Sequence, residues 1–164
     1  MADEMDLPKL LESLRETRFT MFTTIDDDGR PRARPMTTLE ATDGGSLWFF
    51  GVRESDLTRE ARAEPRVGLA YADNGKGTYA YVTGRCFLRD DPAKVERLWS
   101  KLHGAWYDGP ADPDLQLIEV RMESAEYWDS PDSGIIRFLG IVKAAITGEE
   151  HEFDHGEVNA PTPG

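Results

Sequence analysis

The sequence predicts an α+β domain, an antiparallel barrel or strongly coiled sheet of about six strands with helices inserted singly. Three observations carry this. Short runs alternate at period two, as in Phe19–Ile25 and Thr78–Leu88, and Ser46–Gly51 carries a short apolar run, Leu47–Phe50. Several are joined by Asp- and Gly-rich turns, Asp28-Gly29, Asp43-Gly44-Gly45 and Asp73–Gly77, of the kind hairpins use. Helical spacing does not follow nearly every strand, as a parallel sheet requires.

Leu7, Leu10, Leu11 and Leu14 fall at helical spacing, with Pro8 acceptable in the first turn. From Arg18 to Ile25 the chain alternates as a strand, with Phe19, Met21 and Ile25 on one face and Phe22 and the threonines on the other. Arg30–Leu39 and Ser46–Gly51 follow as strands, and Ser55 caps a helix running to Glu64, closed by Pro65. Val67, Leu69 and Tyr71 mark another strand, and Thr78–Leu88 is expected to be the longest, with Gly84 as a bulge or bend. Asp90 or Asp91 caps a helix whose buried stripe is Val95, Leu98, Trp99 and Leu102. Residues 104–113 form a loop, and Leu115–Met122 is a strand extended through Trp128. Ile135–Ile146 has helical spacing and ends at Gly148. Residues 1–148 are thus expected to form the folded domain and 149–164 a polar tail.

The 164 residues carry a net charge of −12 and one cysteine. That acidity argues against nucleic acid, whose phosphates need clustered Lys and Arg. A lone Cys86 rules out an internal disulfide and fits a reducing, cytoplasmic setting. No apolar run reaches the ~18 residues of a membrane span.

His151-Glu152-Phe153-Asp154-His155 matches H-E-x-x-H, a zinc-site spacing when it lies on a helix. It lies in the acidic tail beyond Gly148 with no room for a further liganding helix, so a solvated segment is the better reading and no metal is expected. His103, at a helix C-terminus, is expected to satisfy carbonyls, and Cys86 to be a small core residue. Arg30 and Arg32 read as a solvated strand face, while Arg34 precedes Pro35, which marks a sheet edge where an anion can sit. Strand, strand and the helix N-terminus at Ser55 form a shelf suited to a flat, phosphorylated cofactor.

ARPMTT, SLWFFG, EPRVGLAYAD, YAYVTGRCFLRDD, GPADPDLQLIEV and EYWD, in that order, resemble the general stress protein branch of the pyridoxamine 5′-phosphate oxidase-like flavin-binding split barrels. The resemblance runs from about Leu7 to Gly148. It implies a split-barrel homodimer holding flavin mononucleotide (FMN) at the subunit interface, with hydride chemistry supplied by the flavin and drawn from an electron donor. It implies that Arg34 faces the phosphate, that Pro35, Met36 and Thr37 edge the ring, and that Phe50 and Gly51 end the next strand. Ser55 falls at the phosphate end, Tyr79 at a position the partner subunit supplies, and Trp128 near the ring. No catalytic side chain is evident.

The chain departs from oxidase relatives at four points. Asp56 and Leu57 replace a basic pair, Leu39 a lysine and Gly51 a threonine, and the Arg-x-His element that works on the pyridoxal substrate is missing. True pyridoxamine phosphate oxidation is therefore not expected. FMN, flavin adenine dinucleotide (FAD) and an empty site stay open, as do a non-catalytic binding module and a structural dimer.

Overall fold

The computed structural model describes residues 7–129 and 154–159. The elements run α1 (Leu7–Thr17), β1 (Phe19–Ile25), β2 (Pro31–Thr37), β3 (Glu40–Ala41), β4 (Ser46–Val52), α2 (Asp56–Ala63), β5 (Arg66–Asp73), β6 (Thr78–Arg89), α3 (Pro92–Leu98), a 3₁₀ turn (Lys101–Ala105), β7 (Leu115–Asp129) and β8 (Asp154–Asn159). Every strand pairing is antiparallel, in the order β2-β1-β5-β6-β7-β4-β3. The fold is an α+β split barrel, with eight strands among the described residues where the sequence suggested about six.

The two edges of this sheet, β2 and β3, are neighbours in the chain and only Thr38 and Leu39 lie between them. The run read as one strand, Arg30–Leu39, therefore leaves one edge and begins the other. Hydrogen bonds hold the crossing: Thr38 N–H donates to the Arg18 carbonyl (2.8 Å) and Leu39 N–H to the Trp48 carbonyl (2.8 Å). Thr38 is buried and its hydroxyl bonds the Tyr71 hydroxyl at 2.7 Å. Burial pushes the Tyr71 pKa up to about 12, so the phenol stays neutral and available to that bond.

Alternation decides which residues fill the barrel. On β1, Thr20, Phe22 and Thr24 are buried while Phe19 and Met21 face out. On β4, Leu47 and Phe49 join the main core, where Phe22 and Phe49 meet edge to face with centroids 5.3 Å apart. Leu10, Leu11 and Leu14 seat α1 on the same core, each side chain contributing about 1.5–3 kcal/mol. The opposite face of β4, Trp48 and Phe50, packs on a second cluster with Val95, Leu115 and Leu117. A strand covered on both faces becomes a wall between core and site.

Two sequence expectations take concrete form in β6 and β7. The β6–β7 register shifts between Thr83 and Gly84, and a Cβ on Gly84 would stand 2.3 Å from the Arg121 carbonyl oxygen. The extra residue is Glu123 on β7, and Gly84 sits beside it on β6, where a Cβ would not fit. β7, not β6, is the longest strand, because Leu115 and Gln116 extend it along β4 beyond its pairing with β6 and the register shift adds one residue. β8 lies within the segment read as a polar tail, and it places Asp154 and His155 on an extended strand, which is incompatible with the helical H-E-x-x-H geometry. His151 and the helix expected over 135–146 lie outside the described residues.

Candidate functional site

A cavity of about 730 Å³ opens where the sheet edges meet. β2 contributes Arg34, Pro35, Met36 and Thr37, and β4 contributes Phe50 and Gly51. Ser55, Asp56 and Leu57 enter from the start of α2, and Arg18 and Phe19 from the start of β1. The far wall is Ser100, Leu102, His103, Trp106 and Tyr107, in and beside the 3₁₀ turn. Volume and largely apolar walls suit one flat aromatic ligand.

Arg34 is only partly exposed, on an edge strand as Pro35 suggested. Its guanidinium donates to Glu60 Oε2 (2.8 Å) and to Thr24 Oγ1 (2.6 Å), and the Thr24 hydroxyl donates to the same Glu60 oxygen (2.5 Å). Glu60 is 2% exposed. Burial pushes its carboxyl pKa up, but the bonds from Thr24 and Arg34 outweigh burial and leave it below its ordinary 4.5. Glu60 follows Leu57 by three and precedes Ala61, so it occupies a slot in the helix's buried stripe. That spacing was the signal in the sequence, although a glutamate on a helix ordinarily reads as solvated.

Ser55 caps α2 as expected. Its hydroxyl accepts from Thr58 N–H (3.3 Å) and donates to the Val52 carbonyl (2.8 Å). The first-turn N–H groups of Asp56 and Leu57 have no intrahelical acceptor and lie at the positive end of the helix. Arg59 donates to the Asp56 carboxylate at 2.7 Å and holds its carboxyl below the usual range, so Asp56 is ionised with a cation beside it. Leu57, read in the sequence as replacing a basic residue, is 4% exposed and belongs to the main core. Gly51 is explained by packing: a Cβ there would lie 2.7 Å from Ile118 Cδ1.

Two expected site residues do not line this cavity. Tyr79 and Trp128 face each other across β6 and β7, and the Tyr79 hydroxyl donates to Asn74 Oδ1 at 3.1 Å. Cys86 is buried and its thiol is pushed up to about 12, in keeping with a core residue. Leu102, expected in a buried stripe, is 80% exposed, because α3 ends at Leu98 and the 3₁₀ turn redirects the chain. The His103 side chain was expected to satisfy carbonyls; instead its Nδ1 accepts the Ser100 N–H (2.9 Å), and its ring meets Phe50 edge-on at 4.9 Å. Among the described residues, no group of three or more His, Cys, Asp or Glu is assembled as a metal site. None of the described helices is long and apolar enough to cross a membrane.

The family model described as pyridoxamine 5′-phosphate oxidase like matches residues 5–152. The chain belongs to this family. It is 27% identical to general stress protein 26 of Bacillus subtilis over 118 residues, which cover 70% of this chain and 82% of that protein. Among solved structures it resembles the general stress FMN/FAD binding protein of Xanthomonas citri, with TM-score 0.65, 33% identity, 76% of this chain covered and 89% of the other. The general stress protein 26 of Bacillus anthracis shares the fold, with TM-score 0.67 at 20% identity over 75% of this chain and 94% of the other.

Proposed function

We propose that this family member binds a flavin in the cavity, with FMN the first candidate and FAD the second, and serves a stress-related redox role rather than pyridoxamine phosphate oxidation. The observation that carries this reading is the assembly of Arg34, Pro35, Met36, Thr37, Phe50, Gly51 and Ser55 around one apolar cavity. The likeness to a general stress FMN/FAD binding protein supports it.

A bound flavin would supply hydride transfer, and the protein's part is to bind and orient it. Phe50 and Met36 offer apolar contact, and the β2 edge offers backbone groups to the ring margin. The α2 first turn and the guanidinium N–H groups of Arg34 not used by Glu60 and Thr24 offer donors to a phosphate. Phe19, Met21 and Tyr81 are exposed on β1 and β6, the two strands that flank β5. That apolar surface supports a homodimer, in which Tyr79 and Trp128 would serve a partner's cavity rather than their own. A cytoplasmic setting follows from the same reading.

The Arg34–Glu60 pair favours a second reading, a non-catalytic binding module or a structural dimer, since the arginine's charge is already matched. The visible absorption spectrum of the purified protein, with any released chromophore identified by chromatography, separates the two. A flavin band that bleaches with nicotinamide donors supports the redox role. A band that resists reduction supports the binding module, and a protein left colourless after incubation with FMN and FAD overturns the flavin reading.

A further inference from the structure

Arg18 is the one non-glycine residue with positive φ (56°) among the described residues. It follows the last residue of α1, and its N–H donates to the Leu14 carbonyl at 3.0 Å while its own carbonyl accepts from Thr38 N–H at 2.8 Å. This is the position after a helix that glycine or asparagine usually fills, because a Cβ is crowded there. The two backbone bonds account for the left-handed turn. They do not account for an arginine.

The side chain is unusual as well. Arg15, Arg34, Arg59 and Arg89 each end on a carboxylate. Among the described residues the exposed Arg18 guanidinium has no hydrogen bond or ion pair, and it lines the cavity. Phe19 pairs with Thr37 and Phe22 with Arg34, so Arg18 and Arg34 leave the sheet four residues apart along β1, about 13 Å. The two arginines therefore serve different parts of the cavity.

His103 lies on the same cavity. Because Nδ1 accepts the Ser100 N–H, the neutral ring carries its proton on Nε2, which has no partner among the described residues. Burial, then the Arg18 charge, lowers its pKa below the ordinary 6.5, so the ring is a neutral donor at pH 7. Phe19, Leu102 and Trp106 are exposed apolar groups of the cavity wall.

We infer that Arg18 and His103 form an anion subsite that takes the carboxylate of a small aromatic or apolar acid, with the acid's body against Phe19, Leu102 and Trp106. A guanidinium fork matches a planar carboxylate. The inference rests on this cavity being a ligand site, and it concerns a second ligand beside the flavin.

The test is titration of wild type, Arg18→Gly and Arg18→Lys with 1-naphthoate and its neutral analogue 1-naphthamide, followed by tryptophan fluorescence. Arg18→Gly is expected to weaken naphthoate tenfold or more and to leave naphthamide within twofold, with Arg18→Lys in between. Glycine suits the left-handed turn, so Tm should stay level or rise by up to ~3 °C; Arg18→Asn, which tolerates the same turn, is the second variant should glycine disturb folding. Wild type that ignores naphthoate at millimolar concentration, naphthoate affinity unchanged by loss of Arg18, or equal weakening of both probes overturns the inference. FMN titrated in parallel separates the two readings: Arg18-dependent naphthoate binding without flavin uptake sinks only the flavin assignment, and flavin uptake with Arg18-independent naphthoate binding sinks only the subsite.

Discussion

On one wall of the cavity Arg34, Thr24 and Glu60 satisfy one another within the fold; on the other, Leu102 and Trp106 stand 80% and 75% exposed. The first wall is built from a strand edge and a helix locked by a buried ion pair. The second is a 3₁₀ turn with no buried residue of its own. A wall that is internally complete stays formed in a single chain, whereas exposed apolar groups gain from a ligand or a second subunit. The same cavity thus joins a preformed half to a half that awaits its cover.

Removing one member of the ion pair gives the sharpest break in this contrast. Glu60→Ala should cost about 3 kcal/mol in urea unfolding, because Arg34 and Thr24 lose their acceptor in a largely buried place. The sign with pH is fixed by the direction of the Glu60 shift. Its folded pKa lies below 4.5, so the stability it adds is full above that value and is lost as pH falls through the folded pKa. The gap in stability between wild type and Glu60→Gln should therefore be widest at pH 7 and shrink below pH 4.5.

A smaller effect is expected at Gly51. Gly51→Thr forces Ile118 to move and should cost about 2 kcal/mol by the same unfolding measurement. The opposite wall should respond least. Leu102→Ser with Trp106→Ser should change stability by under ~0.5 kcal/mol, read by the same unfolding measurement. A large loss of stability there would mean that the 3₁₀ turn is part of the core.

Much of the fold was legible because its signals are local. Asp91 accepts the Lys94 N–H at 3.0 Å as a helix cap, and Gly84 marks where the β6–β7 register shifts. Pro35 marked an edge strand, and β2 is one. The switch of sheet edge at Thr38 and Leu39 was not legible, since it depends on how far the whole sheet curls. Leu102 misled because helical spacing continues past the point where α3 stops.

The site was legible as a set of residues and not as a charge arrangement. Leu57 reads as a lost cation, but it is a core residue that could not carry one without burying charge. Glu60 and Arg18 escaped notice for opposite reasons. One is a charged residue in a buried slot, and the other a bulky residue in a turn that favours glycine. Neither burial nor backbone angle is written in the residue type.

The assignment of Arg34 to a flavin phosphate is tested most directly by titrating FMN against wild type and an Arg34→Met, Glu60→Leu double variant, read by flavin fluorescence. Replacing both partners with apolar groups removes the cation without stranding a buried charge. Saturable binding in wild type, weakened tenfold or more in the variant (about 1.4 kcal/mol), is the expected result. Equal affinity in both proteins would contradict the assignment and place the phosphate elsewhere on the cavity.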